Sequence, residues 1–83
     1  MKRFKFNTED DVIQFIKYLI DNGLNFHLDD DPEDINWWQT PVSEGDIAIL
    51  KLNMIDLWDY CDPWLVLSKH PEIEDAYIKG ERL

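Results

Sequence analysis

Carboxylates are the residues of this sequence whose type and spacing are best suited to chemistry. Five of them fall within the six residues Asp29–Asp34, interrupted only by Pro32, and the chain of 83 residues has a formal net charge of −10. Seven carboxylates and no Lys or Arg lie between Gly23 and Asp46. Charge of one sign at this density repels itself, so we expect it to be met by another part of the fold or by a partner.

A surface of this kind can imitate nucleic acid. Duplex DNA presents phosphates about 3.4 Å apart along each strand, and carboxylates held at comparable spacing present a similar charge pattern. The sequence therefore predicts an inhibitor that occupies the positively charged, nucleic-acid-binding surface of a partner such as a nuclease. The carboxylates assigned to this contact are Asp29, Asp30, Asp31, Glu33, Asp34, Glu44, Asp46, Asp56 and Asp59.

Small size and acidity are shared with phage-encoded anti-restriction and anti-CRISPR proteins and with bacterial immunity proteins. That similarity is one of size and charge, and no motif of the sequence assigns the chain to any of these families. A DNA mimic of this type is the leading hypothesis. In a competing interpretation, the acidity serves only solubility, and several of the carboxylates cap helices.

Two adjacent tryptophans follow the acidic run. Large aromatic side chains are either core anchors or interface hot spots, and neighbours on an extended chain point to opposite faces. We therefore expect Trp37 or Trp38 to anchor the partner. In the alternative hypothesis, the protein is a small structural or accessory subunit that docks through this tryptophan region. Trp58 and Trp64 follow helical apolar patterns and are predicted to lie in the core.

The acidic run only partly matches the pattern of a calcium-binding loop. The spacing of Asp29, Asp31 and Glu33 is similar to that of a calcium-binding loop, but Asp34 stands where glycine is needed and Thr40 where glutamate is needed. The sequence therefore argues against a calcium loop.

Other catalytic and metal chemistry is also not predicted. Cys61 is the only cysteine, so the chain has neither an internal disulfide nor a cysteine-framed zinc site, and its helical apolar phase favours the core over a nucleophile paired with His70. His27 near the acidic run is a weak candidate metal ligand. We expect no enzyme activity, no cofactor and no metal.

Charge and hydropathy also predict where the protein acts. Contacts with nucleic acid and anionic lipid are made by Lys and Arg, so direct binding to either is not expected. The longest apolar run, Ile47–Leu50, is far short of the roughly 20 residues that span a bilayer. The basic start of the chain has no apolar stretch behind it, as a secretory signal would. These features predict a cytoplasmic protein.

The chain is short enough to form a single domain, residues 1–83. Lys2–Phe6 alternates charged and aromatic residues, which predicts a half-buried strand. A capping pattern and an acidic first turn predict a helix from about residue 8 to 22. Leu24–Leu28 alternates again and predicts a second strand, so the N-terminal part is expected to be a strand–helix–strand unit.

The C-terminal half is predicted to be helical. A capping pattern precedes a helix from about 44 to 60, although Ile47–Leu52 would also suit a strand. Proline at the first helical position marks a short helix after Asp62 and a last helix from about 71 to 79. The predicted fold class is therefore α+β, a small, mostly helical domain with an N-terminal strand–helix–strand unit followed by about three helices.

Overall fold

The computed structural model describes residues 2–23, 28, 31, 33 and 43–81. Over these residues the chain forms four helices and no strand. The helices are α1 (Glu9–Asp21), α2 (Glu44–Tyr60), α3 (Pro63–Leu67) and α4 (Pro71–Glu81). Helix α1 packs against α3 and α4, which also contact each other.

The α+β prediction is wrong for the part of the chain that the structure describes. Lys2–Phe6 is not a strand, although exposed and buried side chains alternate along much of it. A strand requires a second strand with which to share hydrogen bonds, and the neighbour of this segment is the side chain of Asn53. The predicted second strand, Leu24–Leu28, lies outside the described residues except for Leu28, which is buried. The strand–helix–strand unit is therefore not supported.

The helices, by contrast, begin and end close to the predicted residues because their signals are local. In α1, the Thr8 hydroxyl accepts a hydrogen bond from the backbone N–H of Asp11. The Asp11 carboxylate accepts hydrogen bonds from the backbone N–H groups of Asn7 and Thr8, at 2.9 and 3.0 Å. Gly23 follows the helix at a φ of 62°, a left-handed conformation that suits glycine. The strand alternative for Ile47–Leu52 is excluded, since these residues lie inside α2.

The core is formed where α1 packs against α3 and α4, and the N-terminal segment and the inner face of α2 also contribute side chains to it. The Phe4 ring lies edge-on to those of Phe15 and Tyr18, with centroids 5.1 and 5.3 Å away. The buried apolar residues are Phe4, Val12, Ile13, Phe15, Ile16, Leu19, Leu28, Leu50, Met54, Leu57, Val66, Leu67 and Tyr77.

A buried amide joins the N-terminal segment to α2. Asn53 is fully buried, and its Oδ1 accepts a hydrogen bond from the backbone N–H of Phe4 at 2.9 Å. Its Nδ2 donates to the backbone carbonyl of Lys2 at 2.8 Å. Backbone groups two residues apart face the same edge of an extended chain, so the side-chain amide supplies the acceptor and the donor that the backbone of a neighbouring strand would otherwise supply.

No helix in the described ranges combines the length and the apolar content needed to cross a bilayer.

Replacing Asn53 tests how much this contact contributes. Asn53→Leu keeps a similar volume but leaves the Phe4 N–H and the Lys2 carbonyl without their partner, so we expect a loss of roughly 2–3 kcal/mol in the free energy of unfolding. Urea denaturation measures the loss. The control is Gln14→Leu, which changes an exposed amide on α1 and should stay within about 0.5 kcal/mol of the wild type. Equal effects for the two variants would contradict a structural role for the Asn53 hydrogen bonds.

The capping box of α1 should make stability depend on pH. Hydrogen bonds from the backbone N–H groups of Asn7 and Thr8 lower the pKa of Asp11 below its ordinary value of 3.8. The carboxylate therefore adds stability that is complete above that value and is lost as the pH falls through the lower pKa of the folded state.

Asp11→Asn should be less stable than the wild type at neutral pH and should lose less of its stability on acidification below about pH 4. Chemical denaturation at a series of pH values measures both effects. The control is Asp10→Asn, an exposed neighbour outside the capping box, which should lose less stability at neutral pH than Asp11→Asn. If the stability of Asp11→Asn depended on pH in the same way as that of the wild type, the capping carboxylate would not contribute to the pH dependence of folding.

Candidate protein-binding surface

The acidic run is tied to α2 by an ion pair. Asp31 and Glu33 are described, and both are exposed. The Asp31 carboxylate accepts a hydrogen bond from the backbone N–H of Glu33 at 2.9 Å, which is a turn typical of aspartate. Glu33 Oε2 lies 2.8 Å from Nζ of Lys51 on α2. The other residues predicted for this part of the surface, Asp29, Asp30, Asp34, Trp37 and Trp38, lie outside the described residues.

Helix α2 separates the four carboxylates that were assigned to the partner surface. Glu44 and Asp59 are exposed and, at 3.6 residues per turn, lie on the same outward face. Asp46 is half-buried in the first turn, on the inner side of the helix. Asp56 lies at the flank, where its Oδ2 accepts hydrogen bonds from Nε and Nη2 of Arg3 at 3.2 and 2.7 Å. Glu44 and Asp59 thus share a face but lie at opposite ends of α2, whereas Asp56 and Asp59 lie one turn apart near its C-terminal end.

Three of the described cations are already engaged with carboxylates. The pairs are Arg3–Asp56 at 2.7 Å, Lys51–Glu33 at 2.8 Å and Lys69–Glu9 at 2.7 Å. Their side chains are partly or fully exposed, so each pair contributes little to stability. Asp31, Glu44 and Asp59 have no ion-pair partner among the residues that the structure describes. Among the described carboxylates assigned to the partner surface, these three are uncompensated; elsewhere in the described ranges other carboxylates, including Asp10, Asp21, Glu72, Glu74 and Asp75, have no ion-pair partner either.

A groove of about 530 Å³ separates residues 3–7 from the C-terminal end of α2. Asp56, Asp59 and Tyr60 line its α2 side, and Tyr60 is 40% exposed. Arg3 and Lys5 line the opposite side, so the charge within the groove is mixed. A row of phosphates is uniformly negative, and the groove is therefore not the part of the surface that imitates one.

The outward face of α2 is apolar between its two exposed carboxylates. Ala48 and Leu52 are exposed, with Leu52 at 42%, and Ile55 is half-buried. This face lies opposite the side of the helix that packs into the core, which carries Leu50, Asn53, Met54 and Leu57. A helix at a protein surface normally turns a polar face to solvent, so α2 is unusual.

Sequence reasoning missed this outward face. The signal was present, because apolar residues occur on every side of the predicted helix between residues 47 and 57. The same continuity suits a strand over Ile47–Leu52, and one core-facing stripe accounts for only part of these apolar residues. A helix that is apolar all round needs a second contact, either within a larger core or with a partner.

The tryptophans that the structure describes are structural. Trp58 and Trp64 pack against the core but are only partly buried. The Trp64 ring meets that of Tyr77 edge-on, with centroids 5.8 Å apart. The indole nitrogen of Trp58 is buried and donates no hydrogen bond. The prediction was that both rings lie in the core; they pack against it without being fully buried. The predicted anchor role of Trp37 or Trp38 stays a prediction.

Cys61 caps the C-terminal end of α2 and is half-buried. Burial raises the pKa of its thiol, and the carboxylates of Asp62 and Glu9 raise it further. A thiol with a raised pKa is a poor nucleophile at neutral pH. Within the described ranges, no group of three or more His, Cys, Asp or Glu side chains is placed to hold a metal ion. His27 lies outside these ranges.

The Lys51–Glu33 pair should be easy to exchange for a pair with a partner. The two side chains are 34% and 69% exposed, so water and salt weaken their attraction. A double-mutant cycle with Lys51→Met and Glu33→Gln should give a coupling of about 0.2–1 kcal/mol in urea denaturation. A coupling above about 2 kcal/mol would instead show that Glu33 is committed to the fold and not available to a partner.

Comparisons with protein-family models, with curated proteins and with solved structures find no match for this chain. What the protein does must therefore be inferred from the charges and the exposed side chains of its own surface.

Proposed function

We propose that this protein is an acidic inhibitor that binds a positively charged surface of a partner protein. The proposed partner is a nuclease or another nucleic-acid-binding protein. The inhibitor would occupy the site at which that protein binds DNA or RNA. It performs no chemistry of its own. In kind, the proposal corresponds to the DNA mimics among anti-restriction and anti-CRISPR proteins, or to an immunity protein.

The observation that carries the proposal is the uncompensated negative charge. The net charge is −10, and three of the described cations are paired with carboxylates of the same fold. Of the described carboxylates assigned to the contact, Asp31, Glu44 and Asp59 are left without a described cation, and so are others outside it, such as Asp10, Asp21 and Asp75. Exposed charges are screened beyond about 8 Å at physiological salt. Affinity for the partner is therefore determined by the carboxylates in direct contact with it. The overall negative charge acts mainly on the rate at which the two proteins associate.

The acidic run supplies the contacts in this proposal. Its described members, Asp31 and Glu33, are exposed, and Glu33 already accepts a cation from Lys51 on α2. A Lys or Arg of the partner would take over that role at low cost, since the existing pair is exposed. We also propose that the protein acts in the cytoplasm, where its single thiol would stay reduced.

The alternative is an accessory subunit that docks through an apolar surface, with Trp37 and Trp38 as the predicted anchors. An exposed Leu52 on α2 is compatible with apolar docking. The two hypotheses differ in their dependence on salt. Contacts between charges weaken steeply as salt rises, whereas apolar contacts do not.

Affinity capture from a bacterial lysate tests the proposal. The immobilised protein should retain a nucleic-acid-binding protein at low salt, excess duplex DNA should displace it, and affinity should fall at least about tenfold at physiological salt. Capture that is unaffected by competing DNA and by salt would support the accessory-subunit hypothesis instead.

A pair of charge-matched variants assigns the effect to residues. The first neutralises Asp29, Asp30, Asp31, Glu33 and Asp34 with Asn and Gln. The control neutralises five other carboxylates in the same way, namely Asp10, Asp21, Glu72, Glu74 and Asp75. Both variants have the same net charge, so only the first should lose the partner. Equal retention by both variants would reject the acidic run as the contact surface.

A further inference from the structure

We infer that the outward face of α2 is a docking site for an amphipathic helix of the partner that carries Lys or Arg beside its apolar residues. The inference rests on the proposed function and specifies the partner's contact element. The site, called here the α2 outer stripe, consists of Glu44, Ala48, Leu52, Ile55 and Asp59.

The spacing of the outer stripe is that of a helix-packing seam. Its members are four, four, three and four residues apart, which places them on one face of an α-helix. Steps of three and four residues are also those by which two helices pack along a shared seam. At 1.5 Å per residue, the stripe is about 22 Å long, which matches about four turns of a second helix.

The stripe combines an apolar centre with acidic ends. Leu52 and Ala48 are exposed, Ile55 is half-buried, and the carboxylates of Glu44 and Asp59 have no described cation. A desolvated leucine surrounded by polar residues is the usual composition of a protein interface. Glu44 at one end and Asp59 at the other favour a helix with cations near its ends and disfavour an acidic helix; the Asp59 end also borders the groove that carries Arg3 and Lys5, so Glu44 is the more strongly acidic end.

A second copy of this chain is a poor occupant for the same reason. If two outer stripes paired antiparallel, Glu44 of each copy would lie beside Asp59 of the other, and parallel pairing would place each carboxylate beside its own equivalent. Like charges would meet at both ends in either case. Each copy also carries a net charge of −10, so self-association is opposed at long range as well.

The outer stripe differs from an isolated exposed leucine. Leu65 on α3 is more exposed than Leu52, at 66% against 42%, but its helix has only five residues and Leu65 is the only one of them that is exposed. Single exposed apolar residues are common and need no partner. Leu65 therefore provides a matched control.

The experiment uses a synthetic peptide probe of about four helical turns, with Leu at heptad seam positions and Lys elsewhere. Binding to the whole protein is measured by fluorescence anisotropy at physiological salt. Leu52→Ser, which leaves the charge unchanged, should weaken binding at least about tenfold, because the peptide no longer buries a leucine side chain. Leu65→Ser should stay within about twofold of the wild type. A scrambled peptide of the same composition, and a peptide with Glu in place of Lys, should bind much more weakly.

The outcomes separate this inference from the proposed function. If neutralising Asp29–Asp34 abolishes partner capture while Leu52→Ser affects neither capture nor peptide binding, the outer stripe is rejected and the charge mimic stands. Equal binding of the scrambled peptide would also reject the stripe. If the wild-type protein captures its partner regardless of salt and competing DNA, and Leu52→Ser abolishes this capture, the proposed function is rejected and apolar docking is supported. A wild-type dimer in sedimentation equilibrium that Leu52→Ser dissociates would overturn the inference in favour of a second copy.

Discussion

The side-chain amide of Asn53 is the contact on which the orientation of α2 depends. It binds the backbone of Lys2 and Phe4 inside the core, where an unpaired backbone group would cost free energy. With that segment held in place, Phe4 packs on Phe15 of α1, and Arg3 reaches Asp56 on the flank of α2. The side of α2 that carries Asn53 must face inward. The opposite side, with Leu52 at its centre, must face solvent.

The same orientation divides the acidic residues by role. Carboxylates on the inner side and at the flank serve the fold: Asp46 lies in the first turn of α2, Asp56 receives Arg3, and Asp11 caps α1. Glu44 and Asp59 face outward with no described cation. High negative charge and a stable small domain are thus compatible, because several of the acidic residues are held by hydrogen bonds or ion pairs. Among the described residues, Glu44 and Asp59 take part in no ion pair.

Structure that depends on contacts within one turn of the chain was predicted from the sequence more accurately than structure that depends on contacts between distant residues. Helix ends were predictable because a capping hydroxyl, an acidic first turn, or a proline at the first helical position acts within one turn of the chain. The strand over Lys2–Phe6 was predicted from alternation alone. Alternation reports which side chains are buried, and that part was broadly correct. It does not report what the backbone binds, and the backbone here binds an amide that lies 49 residues from Phe4 in the sequence.

The sequence by itself determined the four helices of the described ranges, the N-cap residues of the first three, the net charge of −10 and the concentration of carboxylates before α2. These depend on composition and on contacts between near neighbours. Tertiary structure alone decided that Arg3 neutralises Asp56, that Lys51 binds Glu33, and that Leu52 remains outside the core. Each of these depends on which residues distant in sequence come within a few ångströms. An apolar pattern on every side of a helix cannot specify which side will be covered.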